Sequence, residues 1–261
     1  MTAAILFAFQ IYCDFEGYTQ IAIGSAEILG YRLNQNFNAP YMAVSVKDFW
    51  KRWHVSLTSW FRDYLYIPLG GNRKGKFRKY LNTLIVFSCS GLWHGAAWHY
   101  VVWGTLNGFF IILEDLCGPF WDKCKIFFKI NASKISYQLL CRFMTFAVVD
   151  VAWLFFRAES LGSGILILKT IVKGLRWEWF LTAGYSSIFE SSHSLMIIFL
   201  SLLIVGLIDL VKYTGKDIKA IIFGQQIIFR WIIYWLIMMI ILYWGAYGTG
   251  YEQTQFIYFQ F

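Results

Sequence analysis

The stretch Leu81–Leu113, LNTLIVFSCSGLWHGAAWHYVVWGTLNGFFIIL, contains 33 residues and no Asp, Glu, Lys or Arg. A single helix that spans a bilayer needs only about 20 apolar residues. Both flanks of the stretch, Arg73–Lys79 and Lys123–Lys134, are basic, and short basic loops favour the cytoplasmic side of a membrane. The run therefore predicts a tight hairpin that enters the membrane and returns, with about 16 residues in each arm.

The natural break in this hairpin is Gly91–Gly95, which places His94 at the turn, deep in the membrane. Irregular backbone at that depth is tolerated where protein or a water-filled cavity surrounds it. An ionisable side chain there is costly and is a functional hypothesis by default. We therefore expect His94 to line a cavity, and a purely structural imidazole between helices is the alternative. We expect His99, five residues further on, to serve packing.

The composition of the whole chain is that of a polytopic membrane protein. Of its 261 residues, 58% are hydrophobic, 21% aromatic and 15% charged, whereas soluble domains carry about a quarter charged residues. The net charge of +8 is distributed over short loops, which indicates a lipid bilayer and not nucleic acid as the partner. We predict an all-α helical bundle that forms one domain over residues 1–261. Further predicted spans are Gln138–Phe156, Ser194–Ile208 and Trp231–Tyr251.

A second histidine, His54, lies in an aromatic stripe before the hairpin. Ser45 and Asp48 match a capping box, which predicts a helix that begins near residue 46. We predict one continuous helix through residue 64, lying in the membrane interface with His54 on its aromatic face. The stripe has helical spacing and consists of Trp50, Trp53, His54, Leu57, Phe61 and Tyr64.

The chemistry open to these histidines is proton transfer. An imidazole has an unperturbed pKa of about 6.5 and can take a proton from a hydroxyl at neutral pH. A hydroxyl activated in this way attacks an acyl thioester, so the sequence indicates acyl transfer across or within the bilayer. The five cysteines form no CxxC pair, and we predict no metal site and no tightly bound cofactor. A membrane transporter or channel and an inactive scaffold remain the alternatives.

The sequence contains several long motifs: VKDFWKRWH (46–54), WFRDYLYIPLGGNR (60–73), GLWHG (91–95), DFEGY (14–18), NFNAP (36–40), WLFFRA (153–158) and the terminal IYFQF (257–261). Together they resemble the membrane-bound O-acyltransferase (MBOAT) family, in the branch that acetylates alginate and peptidoglycan. The resemblance extends over essentially the whole chain.

The resemblance implies a helical bundle around a tunnel through the bacterial inner membrane. His94 would be the general base, and His54 a second catalytic histidine that polarises the thioester or positions the donor. An acyl group, usually acetyl, would pass from a cytoplasmic thioester to a hydroxyl of an exported or cell-wall polysaccharide. The donor would be acetyl-CoA or an acyl carrier, and an extracytoplasmic esterase-like protein would be the partner. The residues expected to contact substrates are Trp93, Asp63, Arg62, Asn72 and Arg73.

Members of the family usually carry several additional helices before the DFxGY element. The resemblance therefore implies that this chain holds the C-terminal part of the bundle and that the N-terminal helices are missing from it.

Overall fold

The computed structural model describes residues 1–174 and 192–245, and within them every regular element is helical. The predicted all-α class is therefore confirmed; the terminal IYFQF motif lies outside the described residues. A 3-10 turn covers Pro40–Met42 and a π-helical turn covers Arg62–Tyr66. The α-helices are α1 (Thr2–Ile28), α2 (Val46–Arg52), α3 (Val55–Phe61), α4 (Gly75–His94), α5 (Trp98–Phe127), α6 (Ile135–Arg157), α7 (Leu161–Lys173), α8 (Ser192–Tyr213), α9 (Ile218–Phe223) and α10 (Ile227–Trp244).

Four helical segments in the described part of the chain are long and apolar enough to cross a membrane. Three of them overlap the predicted spans Gln138–Phe156, Ser194–Ile208 and the described part of Trp231–Tyr251; the fourth is the second arm of the predicted hairpin, whereas the first arm, α4, is not among them. Helix α10 has no buried residue, as suits a helix that faces lipid. The chain is therefore a multi-pass membrane protein. The four segments are Trp98–Phe127, Ile135–Arg157, Leu195–Tyr213 and Ile227–Trp244.

Helices α4 and α5 form the predicted hairpin, which turns between His94 and Trp98. The two backbones approach so closely that a Cβ atom at Gly91 would overlap the carbonyl oxygen of Tyr100, and one at Gly104 would overlap that of Phe87. Small residues permit this kind of close helix contact within membranes. The glycine before the WH pair therefore fixes the packing of the hairpin that carries His94.

The start of α4 lies beside the part of α5 that follows Leu113, as the hairpin prediction requires. Asp115 on α5 accepts from Lys79 Nζ at 2.7 Å and from Lys47 Nζ at 2.5 Å. Helix α5 is longer than predicted, because it continues to Phe127 through part of the basic segment that was expected to be a loop. The ion pair between Lys125 and Asp122 at 2.6 Å supports this extension.

The predicted continuous helix after Ser45 is wrong. Ser45 Oγ does accept from the Asp48 N–H at 3.1 Å, but the helix stops at Arg52 and a new one starts at Val55. The polar loop around Asn36 causes the break, because it takes the hydrogen bonds that a continuous helix would use. The carbonyl oxygen of Asn36 accepts from Val55 N at 2.9 Å, and the backbone N–H of Asn38 donates to Arg52 O at 3.0 Å.

The core between these elements is aromatic. The Trp53 ring, just before the break, lies 4.9 Å from Phe37, 5.5 Å from Phe49 and 5.0 Å from Trp153 between ring centroids. Trp153 on α6 in turn stacks on Trp103 of α5 at 5.6 Å. These buried rings connect the α2–α3 break to the hairpin and to α6, and they form the base of the site described next.

Candidate active site

His54 and His94 line one cavity of about 60 Å³ beside the aromatic core. The histidines come from two separate helix ends, since His54 lies between α2 and α3 and His94 is the last residue of α4. The other lining residues are two hydroxyls, Thr58 and Ser90, and a predominantly aromatic wall of Trp50, Trp53, Leu57, Phe61, Val86, Phe87, Trp103 and Trp153.

The imidazole of His94 is held by aromatic rings on several sides. Its centroid lies 5.1 Å from that of Trp103, 5.3 Å from Phe156 and 5.0 Å from Trp93, and each of these rings is nearly perpendicular to it. The side chain is 8% exposed. As expected from the glycine-flanked turn, His94 therefore lies in the wall of a cavity, with its ring fixed by packing.

His54 occupies an unusual backbone conformation and a defined hydrogen-bond environment. Its φ and ψ of 45° and 53° are left-handed, a region that histidine enters more readily than most residues. Its Nδ1 lies 3.2 Å from Asn36 Oδ1 and 3.4 Å from Ser56 Oγ, and the Phe15 ring meets the imidazole edge-on at 4.7 Å. Burial lowers the pKa of His54 to about 4, so the ring is neutral at physiological pH.

The residues predicted to contact substrates lie outside this cavity. Trp93 touches His94 but turns 58% of its surface outward. Arg62 and Asp63 form an exposed ion pair at 2.8 Å, and the hydrogen bond from the guanidinium lowers the pKa of the Asp63 carboxyl. Asn72 and Arg73 lie in the exposed turn before α4. Their substrate roles stay predictions.

His99 behaves as the packing residue that was expected. Its Nδ1 lies 3.1 Å from the carbonyl oxygen of Phe155, an oxygen that can only accept, and the side chain is 8% exposed. This hydrogen bond ties the start of α5 to the end of α6. The second histidine of the hairpin therefore stabilises the wall next to the site and does not line the cavity.

Two residues of the site escaped prediction from the residue pattern. Asn36 holds His54, and Trp153 lines both the histidine cavity and a second cavity of about 690 Å³. Each belongs to a motif of the family resemblance, NFNAP and WLFFRA, and this is the only signal that could have singled them out. The second cavity lies among α1, α6 and α7, and its polar lining residues include Gln10, Arg157 and Glu159.

The site offers imidazole chemistry in an aromatic setting. Two imidazoles and two hydroxyls share one small volume, and none of the described residues that line it carries a carboxylate. Among residues 1–174 and 192–245, no three His, Cys, Asp or Glu side chains cluster as ligands of a metal ion would. A neutral imidazole can take a proton from a hydroxyl placed beside it, and low polarity strengthens such a contact.

Residues 1–156 match the model of MBOAT, the membrane-bound O-acyltransferase family. The chain, a multi-pass membrane protein with two histidines on one cavity, belongs to that family. The match ends within α6, so it includes both histidines, the hairpin and most of the aromatic core.

Curated relatives share the same part of the chain. The probable alginate O-acetylase AlgI of Pseudomonas syringae is 40% identical over 158 residues, 60% of this chain and 28% of the relative. The peptidoglycan O-acetyltransferase of Helicobacter pylori is 39% identical over 169 residues, 65% of this chain and 31% of the relative. The teichoic acid D-alanyltransferase of Bacillus subtilis is 31% identical over 160 residues, 59% and 40% respectively. The chain thus spans less than half the length of these relatives.

Proposed function

We propose that this chain carries the catalytic part of an O-acyltransferase that moves an acetyl group from a cytoplasmic thioester to a hydroxyl of an exported or cell-wall polysaccharide. The observation that carries the proposal is the shared cavity of His54 and His94. Membership of the family and the acetylating names of two relatives support the same reaction class.

In the proposed reaction, His94 acts as the general base. It takes the proton of the acceptor hydroxyl while the oxygen attacks the carbonyl carbon of the thioester and forms a C–O bond. The tetrahedral intermediate then breaks its C–S bond, and the proton from His94 leaves with the thiol. The products are an acetyl ester and a free thiol, and the imidazole is neutral again.

The size of the cavity suits a site that holds only the reacting groups of the two substrates. Pockets that enclose a whole drug-sized ligand measure roughly 300–1,000 Å³, so a cavity of about 60 Å³ accommodates reacting atoms and not a whole donor or acceptor. In this proposal the sugar and the thioester arm reach the cavity from outside, and only the hydroxyl and the acetyl group enter it. The aromatic wall would exclude water, which competes with the sugar for the acyl group.

The two substrates are proposed to approach from opposite ends of the bundle. The thioester would come from the side of the basic loops, where Asn72 and Arg73 lie exposed before α4 and could contact the phosphates of coenzyme A or of an acyl carrier. The acceptor would come from the other end of α6, where the larger cavity reaches Trp153, the side chain that also lines the histidine cavity. Trp93, Arg62 and Asp63 are proposed as further substrate contacts.

The proposed direction of transfer, from the side of the basic loops to the opposite side of the membrane, calls for a partner on that opposite side. An extracytoplasmic esterase-like protein is proposed to carry the acetyl group onward to the polysaccharide, and the bacterial inner membrane is the proposed location. Neither a metal nor a tightly bound cofactor is needed for the steps described above.

The test is transfer of label. Inner-membrane vesicles that contain the whole protein are supplied with acetyl-CoA or an acetylated carrier protein, labelled in the acetyl group, and with the acceptor polysaccharide. The proposal predicts label in an alkali-labile ester on the polysaccharide. Movement of polysaccharide or of acetate across the membrane without a new ester would contradict it and would favour a transporter.

A further inference from the structure

We infer that Asn36 is a positioning residue that fixes His54 in the tautomer with the proton on Nδ1, so that Nε2 presents its lone pair toward the cavity. The inference rests on the proposed function for its catalytic meaning, but its structural content can be tested without any activity. It starts from the three contacts of one oxygen atom.

The orientation of the Asn36 side-chain amide is determined by an unambiguous donor. The backbone N–H of Ser56 lies 3.1 Å from Asn36 Oδ1, and Ser56 Oγ lies 2.8 Å from the same atom. A backbone N–H can only donate, so the amide atom that faces it has to be the oxygen. The usual ambiguity between the oxygen and the nitrogen of an asparagine amide is thereby removed.

The amide orientation then fixes the protonation of His54. Asn36 Oδ1 lies 3.2 Å from His54 Nδ1 and can only accept. The hydroxyl of Ser56 donates its proton to Asn36 and therefore turns a lone pair toward Nδ1, at 3.4 Å. Both polar neighbours of Nδ1 are acceptors, so Nδ1 carries the proton. The burial that keeps His54 neutral leaves no second proton for Nε2.

The surroundings hold this arrangement in place. Asn36 is 8% exposed, its carbonyl accepts from Val55 N at 2.9 Å, and the edge-on ring of Phe15 restricts rotation of the imidazole. No hydrogen bond to His54 Nε2 comes from residues 1–174 or 192–245. Because the Nδ1 edge of the ring faces the loop, the Nε2 edge is the one left for the cavity that His54 lines.

This tautomer changes the role expected of His54. Polarising a thioester carbonyl requires an N–H donor, whereas Nε2 in this tautomer is an acceptor. His54 is therefore assigned to the acceptor side of the reaction and not to the donor carbonyl: its Nε2 accepts a hydrogen bond from a neighbouring hydroxyl of the sugar and so orients the reacting hydroxyl toward His94. A group that holds a histidine through its other nitrogen is a recurrent device for setting the tautomer.

The direct test is nitrogen NMR of the chain in lipid nanodiscs with ¹⁵N-labelled histidine. The chain has only four histidines, and the His54→Gln variant identifies the signals of His54 by their loss. We expect a protonated, pyrrole-type Nδ1 and an unprotonated, pyridine-type Nε2 at pH 7. The opposite pattern, or a doubly protonated ring, would overturn the inference whether or not the chain is active.

A variant series tests what the position contributes to catalysis. Asn36→Ala removes the acceptor and should lower kcat at least about tenfold with little change in KM, while Asn36→Asp keeps an oxygen at the same place and should restore kcat to within about threefold. Asn38→Ala is the matched control, because that exposed residue of the same loop contacts Arg52 through its backbone alone. It should leave kcat unchanged.

The outcomes separate the two proposals. Equal kcat for Asn36→Ala and the unsubstituted protein would overturn the positioning role. A low kcat for Asn36→Asp as well would overturn it too, because a retained acceptor would then have no effect. If Asn36→Ala fails to insert, Asn36→Asp and the NMR pattern still decide. Absence of acetyl transfer by the unsubstituted protein would count against the proposed function, while the NMR result would stand on its own.

Discussion

His54 and His94 line the same cavity although each one marks the end of a different helix. His54 takes a left-handed conformation after α2, and α4 stops at His94 just before the hairpin turns. Both imidazoles are therefore placed by interruptions of regular structure that the packing of other segments enforces. The loop of Asn36 imposes the first interruption, and the close contact of α4 with α5 restricts the second.

The glycines of the hairpin should be indispensable for this contact. Gly104→Ala is expected to destabilise the chain by about 1–3 kcal/mol, because its Cβ would overlap the carbonyl oxygen of Phe87 and force the helices apart. Equilibrium unfolding in detergent micelles, followed by tryptophan fluorescence, measures the effect. Gly24→Ala on α1, where a Cβ meets nothing within 4 Å, is the control and should be neutral or slightly stabilising. Equal stability of both variants would show that the close approach is unimportant.

The attachment of α8 to α1 depends on a buried hydrogen bond. Tyr12 donates to Asp209 at 2.7 Å, and the Asp209 side chain is only 4% exposed. Tyr12→Phe should lower the free energy of unfolding by about 1–3 kcal/mol, because a buried carboxyl group loses its donor. Tyr234→Phe is the matched control, since the ring contact of Tyr234 with Trp231 survives the substitution. A smaller loss for Tyr12→Phe than for the control would contradict the prediction.

The start of α2 is held from a distant helix. Glu114 on α5 accepts from the backbone N–H groups of Val46 at 2.9 Å and Lys47 at 3.3 Å, which are unsatisfied donors of a helix N-terminus. Glu114→Ala should therefore speed hydrogen exchange at the amides of α2 by roughly fivefold, in proportion to about 1 kcal/mol of lost capping. Asp122→Ala, an exposed carboxylate of the same helix, should leave exchange in α2 unchanged. Equal exchange in both variants would show that α2 does not depend on α5.

Burial of His54 predicts a dependence of stability on pH. Its pKa is about 4 in the folded chain and about 6.5 in an unfolded one. Between these values the unfolded chain binds the proton and the folded chain does not, so acidification from pH 6.5 to 4 favours unfolding. The unfolding midpoint should fall less over this range in His54→Gln than in the unsubstituted chain. An identical fall in both would contradict the prediction, because it would mean that folding does not change proton binding at His54.

The spans and the hairpin could be predicted from the sequence because their signal is local. An uncharged run with basic flanks, as in Leu81–Leu113, indicates a hairpin whatever it packs against, although its two helices extend beyond the run into the basic flanks. The break before Val55 could not be predicted in this way. Trp50 to Tyr64 has helical periodicity, and backbone hydrogen bonds with a loop that is remote in sequence interrupt it: Asn36 O accepts from Val55 N, and Asn38 N donates to Arg52 O.

In the site, too, the residues placed by their sequence neighbours could be predicted, and those placed by contacts with distant segments could not. The position of His94 in a cavity wall could be predicted from the glycines beside it. The packing role of His99 could be predicted from its position five residues after His94. The role of Asn36 depends on which atom of Ser56 faces its amide, and no pattern of residue types contains that information. Arg62 and Asp63 stand next to each other in the chain and pair with each other, so their proximity to His54 in sequence did not bring them into the cavity.

Acetylation by the whole protein with His94→Ala tests the central claim most directly. The rate of acetyl ester formation on the polysaccharide is measured in membranes that contain equal amounts of inserted unsubstituted protein or variant. We predict a rate at least about a hundredfold lower for the variant, which is the lower end of what a general base contributes. A rate equal to that of the unsubstituted protein would contradict the assignment of His94 as the base.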